Sequence, residues 1–151
     1  MDISEINDYL YVGGQPAHTD CADLCARNVG LVINMRGESK PHAAFSAPPL
    51  SVLWLRTYDT FFTPIGMRVL EEGVRAAAPI IAQGRKVLVH CHYGRHRSVA
   101  MAAAILIAQG ATAREAMAML SARRASADPH IWYIRRQIEK FERHWRERNP
   151  A

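Results

Sequence analysis

Apolar and polar positions along this chain fall into two alternating kinds of segment. Short apolar runs near Tyr9 to Val12, Leu31 to Arg36, Val52 to Tyr58 and Lys86 to His90 have the length and β-branched content of strands. Longer stretches with helical spacing lie between and after them, at roughly Asp20 to Asn28, Ile65 to Gln83, Ser98 to Gln109, Thr112 to Ser121 and Ile131 to Asn149. Strands alternating with helices predict an α/β layer fold whose sheet is covered by helices. At 151 residues the chain is expected to form a single domain over residues 1–151.

The segments differ in what they must bury. SVAMAAAILIAQ (98 to 109) is apolar nearly all round, so it belongs in the middle of the domain. The last helical segment puts Ile131, Ile134, Ile138, Phe141 and Trp145 on one stripe and turns Arg135, Arg136, Arg143 and Arg146 outward, as a solvated face or one open to membrane or nucleic acid. Thr112 with Glu115 forms a capping box, and Asp128-Pro129 reads as an N-cap followed by proline at the first helical position. Pro79 should kink or shorten the helix it interrupts. Residues 37 to 50, with three prolines, read as a long loop with freedom to move.

Composition narrows the picture only a little. Apolar residues at 49% and charged ones at 22% argue against disorder. No apolar run reaches membrane-span length and the N-terminus MDISEIND is unlike a signal peptide, so a cytoplasmic protein without a transmembrane segment is expected. Three cysteines at unpatterned spacing fit a reducing compartment. Cys21 and Cys25 are expected to pack inward, with redox sensing as a lesser role. Of 19 basic residues only Lys40, Lys86 and Lys140 are lysines, and the net charge is +5. That balance suits an anionic substrate and an arginine-rich surface equally, and by itself selects neither.

The chemistry is concentrated in HCHYGRHRS (90 to 98), which follows the apolar run Lys86-Val87-Leu88-Val89 and precedes the apolar helix. A strand-loop-helix junction aims several backbone N–H groups and the positive end of a helix at one point, which suits an anion. Cys91 stands six positions before Arg97, so a curled loop brings both side chains to one centre, where the thiolate is favoured. An inert packed cysteine would leave His90, His92, Arg95, His96 and Arg97 without a reason to crowd one turn. A zinc site lacks paired ligands, and the arginines would oppose a cation.

His90-Cys91, five residues, then Arg97-Ser98 resembles the signature of the cysteine-based protein tyrosine phosphatase superfamily, and the chain is similar overall to its small, atypical dual-specificity phosphatases. NDYLYVGGQPA (8 to 17) resembles their opening strand, VGLVINMR (29 to 36) the next, and residues 123 to 142 their closing helix. The resemblance implies a central, mostly parallel sheet flanked by helices and metal-independent hydrolysis of phosphate monoesters with no cofactor. Cys91 would carry a phosphocysteine intermediate. Arg97 would grip two phosphate oxygens, and the backbone N–H groups of His92, Tyr93, Gly94, Arg95, His96 and Arg97 would hold the rest. His90 would orient the loop and Ser98 would help the thiolate leave. Asp59, 32 positions before Cys91 and followed by Phe-Phe-Thr-Pro, would be the general acid. Phe61 and Phe62 would line the pocket mouth or pack in the core.

The implied partner is a phosphorylated protein, on tyrosine, serine or threonine; no nucleic acid is expected. The absence of a Trp-Pro-Asp signature favours the dual-specificity branch. The basic loop leaves an alternative open. Arg95 and His92 fall where lipid phosphatases of the superfamily carry extra lysines. Gly94-Arg95-His96-Arg97 also resembles a segment of atypical enzymes that act on inositol pyrophosphates, so inositol phosphates and phosphoinositides remain candidate substrates. A phosphate-binding module without turnover and a rhodanese-like sulfur transferase also stay open. Arg36 and Glu38, closing the second strand, are expected to pair with neighbouring loops.

Overall fold

The computed structural model describes residues 1–150. Five strands, β1 (Ile3–Asn7), β2 (Leu10–Gly13), β3 (Val29–Arg36), β4 (Ser51–Thr57) and β5 (Lys86–His90), form one sheet in the order β1-β2-β5-β3-β4. β1 runs antiparallel to β2, whereas β2, β5, β3 and β4 are mutually parallel. The fold is thus α/β with a mostly parallel sheet. β5 lies in the middle, and Val87, Leu88 and Val89 are wholly buried, as a strand covered on both faces requires.

The parallel arrangement decides where a site can be. The C-terminal ends of four strands point the same way, so the segments Gly13–Gln15, Arg36–Glu38, Thr57–Asp59 and Cys91–Arg97 emerge side by side. Ligands of open parallel sheets bind at that edge.

Helices cover both faces. α2 (Met67–Ala82), α3 (Arg97–Ala108), α4 (Ala113–Arg123) and α5 (Trp132–Arg148) bury the larger core, while α1 (Cys21–Ala26), Phe45 and Leu50 bury the smaller one against Tyr11, Val32 and Leu88. Cys21 and Cys25 are half-buried against that second cluster. Every residue of α3 from Arg97 to Ile107 is buried, which follows from its all-round apolarity. Ile134, Ile138 and Phe141 form the buried stripe of α5.

Several sequence expectations need correction. β1 was not anticipated: its five residues hold a single fully buried side chain, Ile6, and so give little alternation to read. α2 continues through Pro79 to Ala82, Pro79 O accepting from Gln83 N–H in the last turn. Asp128-Pro129 does not start α5, whose N-cap is Ile131. The Asp128 carboxylate is drawn instead to His96, 3.2 Å away, and to Arg95. The loop of residues 37 to 50 contains a 3-10 turn over Ala43–Ser46 that buries Phe45. No helix among the described residues is long and apolar enough to cross a membrane.

Candidate active site

The loop after β5 curls around Cys91, whose side chain is almost fully buried. Its Sγ lies 3.2 Å from Ser98 Oγ and 3.3 Å from the N–H of Gly94. Both groups can donate to a thiolate, the first from the opening turn of α3 and the second from the loop itself. Gly94 has φ +69, a left-handed conformation, and a Cβ there would lie 2.6 Å from the carbonyl carbon of Gly13. Glycine is needed at this position for backbone shape and for space.

Buried groups hold the loop from below. His90, with 1% of its surface exposed, donates from Nδ1 to the carbonyl of Cys91 at 3.2 Å. Burial, with the nearby Arg36 and Arg97 charges adding to it, outweighs that hydrogen bond and lowers the His90 pKa to about 4. Arg124, also buried, donates from Nε to Gly94 O at 2.9 Å, from Nη2 to Tyr93 O at 2.9 Å and from Nη1 to Val12 O at 3.4 Å. Nη1 and Nη2 also donate to the two oxygens of Asp2 in a bidentate ion pair, at 3.1 and 2.8 Å. Gln15 N–H adds a bond to His92 O at 3.0 Å. Carbonyls pulled downward turn the opposite edges of their peptides upward. The N–H groups of His92, Tyr93, Arg95 and His96 have no protein acceptor among the described residues.

Arg97 enters the same centre from the first turn of α3. Its Nη1 donates to Glu38 Oε1 at 2.7 Å, to Thr57 O at 3.0 Å and to Met35 O at 3.3 Å, while Nη2 donates to Glu38 Oε2 at 3.1 Å. Nε is buried without a partner. A guanidinium has two bidentate edges. Glu38 occupies one, and the edge carrying Nε faces no protein acceptor. The ion pair with Arg97 lowers the Glu38 pKa to about 2 against the opposing effect of burial. Glu38 thus pairs with Arg97 in the first turn of α3, in place of the expected neighbouring loop, and its Oε2 also lies 3.5 Å from Arg36 Nε.

A second group of side chains stands in front. Asp59 Oδ2 lies 3.0 Å from His96 Nδ1, and Oδ1 accepts from Tyr133 O–H at 3.0 Å. His96 Nε2 lies 3.2 Å from Asp128 Oδ2, so each ring nitrogen meets a carboxylate. Partial burial and the contact with Asp59 raise the Tyr133 pKa to about 12, which keeps its hydroxyl a donor. Glu38, Asp59, Cys91, His92, Tyr93, Arg95, His96 and Arg97 line one pocket of about 370 Å³. Of the expected site residues, Cys91, His92, Tyr93, Arg95, His96 and Arg97 thus meet Asp59 around one cavity, while His90, Gly94 and Ser98 do not line it. The His96 side chain is turned to the two carboxylates, which leaves its backbone N–H for an anion. His92, Tyr93 and Arg95 have exposed side chains. Phe61 and Phe62 line no part of this pocket, being 52% and 80% exposed.

Sequence reasoning missed Arg124, Tyr133 and the use of Asp128. One signal for Arg124 was readable: it continues the stripe Ala113, Ala116, Met117, Leu120 that α4 buries, a charge set on an apolar face. Tyr133 and Asp128 carry no such mark.

Comparison with known proteins adds an independent line. Residues 10–144 match the family described as the dual specificity phosphatase catalytic domain. The tyrosine-protein phosphatase yvh1 of Schizosaccharomyces pombe is 26% identical over 142 residues, which are 93% of this chain and 42% of that protein. The chain therefore spans less than half the length of that relative. Among solved structures, PTPMT1 superposes with a TM-score of 0.86 at 24% identity, over 97% of both chains. PTPMT1 has also been solved in complex with PI(5)P. Human DUSP28 superposes with a TM-score of 0.84 at 23% identity, over 97% of this chain and 99% of that one. At such identities the structures show a shared fold.

Proposed function

Because the chain belongs to the dual-specificity phosphatase catalytic-domain family, we propose that it hydrolyses phosphate monoesters through a phosphocysteine intermediate on Cys91. The observation that carries this reading is the set of open donors around one sulfur: four loop N–H groups and the Nε of Arg97. A dianionic phosphoryl group has oxygens to fill them, and its phosphorus then sits in line with Cys91 Sγ. Attack forms the S–P bond and breaks the ester P–O bond. The departing oxygen takes the electron pair and a proton from Asp59, protonated for this step. Water then attacks phosphorus and loses a proton to the Asp59 carboxylate. The S–P bond breaks, its electron pair returns to sulfur, and the bond from Ser98 steadies the thiolate as inorganic phosphate leaves. Charge in the transferring group is met by donors already in place, which is where most such catalysis comes from.

Phosphorylated tyrosine, serine or threonine in protein is the first substrate reading, as the family description suggests. One observation favours an inositol phosphate or phosphoinositide instead: the exposed Arg95 and His92 at the pocket, on a fold shared with a protein solved with PI(5)P. Aryl phosphate hydrolysis in the presence of a chelator tests the reaction itself. Cys91→Ser should abolish turnover and keep oxyanion binding, and activity surviving that change would exclude the mechanism. A panel of phosphopeptides, inositol polyphosphates and phosphoinositides ranks the two substrate readings by kcat/KM.

A further inference from the structure

The outward cations of α5 divide into two sets. Arg135 pairs with Glu139 at 2.7 Å, Arg146 with Glu142 at 3.3 Å and Arg148 with Glu71 at 3.5 Å. Arg136, Lys140 and Arg143 have no acidic partner within that range among the described residues, and all three are exposed. They lie on a single stripe of the helix, and its first member is Trp132, 59% exposed. Pairing would have neutralised these charges, as it does their neighbours. On this face they stay free.

The stripe runs beside an apolar crevice of about 280 Å³ lined by Phe61, Ile65, Met67, Trp132 and Tyr133, with Arg136 and Lys140 at its rim. Tyr133 joins crevice and phosphate pocket, its ring lining the first and its hydroxyl bonding Asp59. Phe61 packs on Trp132 with ring centroids 5.8 Å apart, and Phe62, tilted against Phe61 at 4.0 Å, is the most exposed of the three with 80% of its surface in water. A monomer rarely leaves so many aromatic side chains exposed on one patch without a use for them.

From this face we infer a docking surface for an anionic lipid bilayer, with Phe61, Phe62 and Trp132 entering the interface and Arg136, Lys140 and Arg143 meeting the headgroups. The chemistry is that of peripheral membrane binding, where aromatic tips and cations act together. A soluble peptide could fill the crevice but would leave Phe62 in water. A bilayer takes up the protruding tip and the three charges at once. Seated this way, the protein presents the Cys91 pocket at the level of headgroup phosphates. The inference rests on the phosphatase reading for its consequence and on the surface alone for its existence.

Co-sedimentation of the whole protein with vesicles of phosphatidylcholine, alone or mixed with phosphatidylserine, tests it. The protein should bind the mixed vesicles and not the neutral ones, and less tightly as salt rises. Phe62→Ser should weaken binding about tenfold or more, and the triple change Arg136→Gln, Lys140→Gln, Arg143→Gln about 100-fold. Neither variant should alter hydrolysis of a soluble aryl phosphate, which also shows that both remain folded. Failure to bind anionic vesicles, or binding by both variants as tight as that of the unmodified protein, overturns the proposal. So does an equal loss of kcat/KM on soluble phosphopeptides in both variants, which would assign the face to peptide. Vesicle binding that follows these variants in a protein without aryl phosphatase activity would uphold the surface and sink the proposed reaction.

Discussion

The loop around Cys91 has two supports of opposite character. Beneath it stand His90, Ser98 and Arg124, each at most 3% exposed, all bonding to loop atoms. In front stand Asp59 and Asp128, with side chains 38% and 35% exposed, joined through His96 and Tyr133. Groups below have no water to fall back on, so losing one leaves a loop carbonyl or the Cys91 sulfur without its donor. Groups in front are solvated, and losing one costs turnover with little cost in stability. Shape is set from beneath and proton traffic from the mouth.

The widest test of that division is Arg124→Met. It strands the carbonyls of Gly94, Tyr93 and Val12 and should cost about 3 kcal/mol of stability as well as most of kcat, read by denaturant unfolding and aryl phosphate assay. Arg124→Lys should recover part of the stability and little of the activity, because a compact ammonium cannot span the three carbonyls that the planar guanidinium reaches from separate nitrogens. Asp59→Asn is its counterpart in front. It should lower kcat about 10² to 10⁴-fold for esters with poor leaving groups, far less for activated aryl esters, and shift stability by less than about 0.5 kcal/mol. An equal loss for both ester classes would point to another acid.

Acid should separate the two regions next. The His90 pKa of about 4 lies below its ordinary 6.5, so protonation favours the unfolded chain. Stability is then whole above pH 6.5 and falls by about 3 kcal/mol as the pH drops through the window to about 4. His90→Gln should flatten that slope in unfolding curves measured across the range. The smallest effect belongs to Tyr133→Phe, which removes one bond to Asp59: about 1 kcal/mol in kcat/KM, read in the alkaline limb of the pH profile where the general acid loses its proton, with the fold untouched.

The same division governs what could be read in the chain. Cys91, Arg97 and Ser98 sit in one short run between a buried strand and an apolar helix, and Asp59 closes a strand, so local order announces them. α3, the capping box at Thr112 and the stripe of α5 follow from periodicity in the same way. The supports are long-range. Arg124 reaches Asp2 across 122 positions, and Tyr133 reaches Asp59 across 74. Spacing along a sequence holds no trace of such partners. Asp128 shows how a local rule misleads: a good N-cap residue before proline is held by the His96 ring nitrogen and the Arg95 guanidinium and not by the helix end.

Rapid mixing of the protein with an aryl phosphate, quenched in acid and followed by peptide mass spectrometry, addresses the central claim most directly. The account predicts one phosphoryl group on the peptide carrying Cys91, absent in Cys91→Ser and accumulating in Asp59→Asn with an activated ester. Steady turnover with no phosphoryl group on Cys91 at any time point would contradict it.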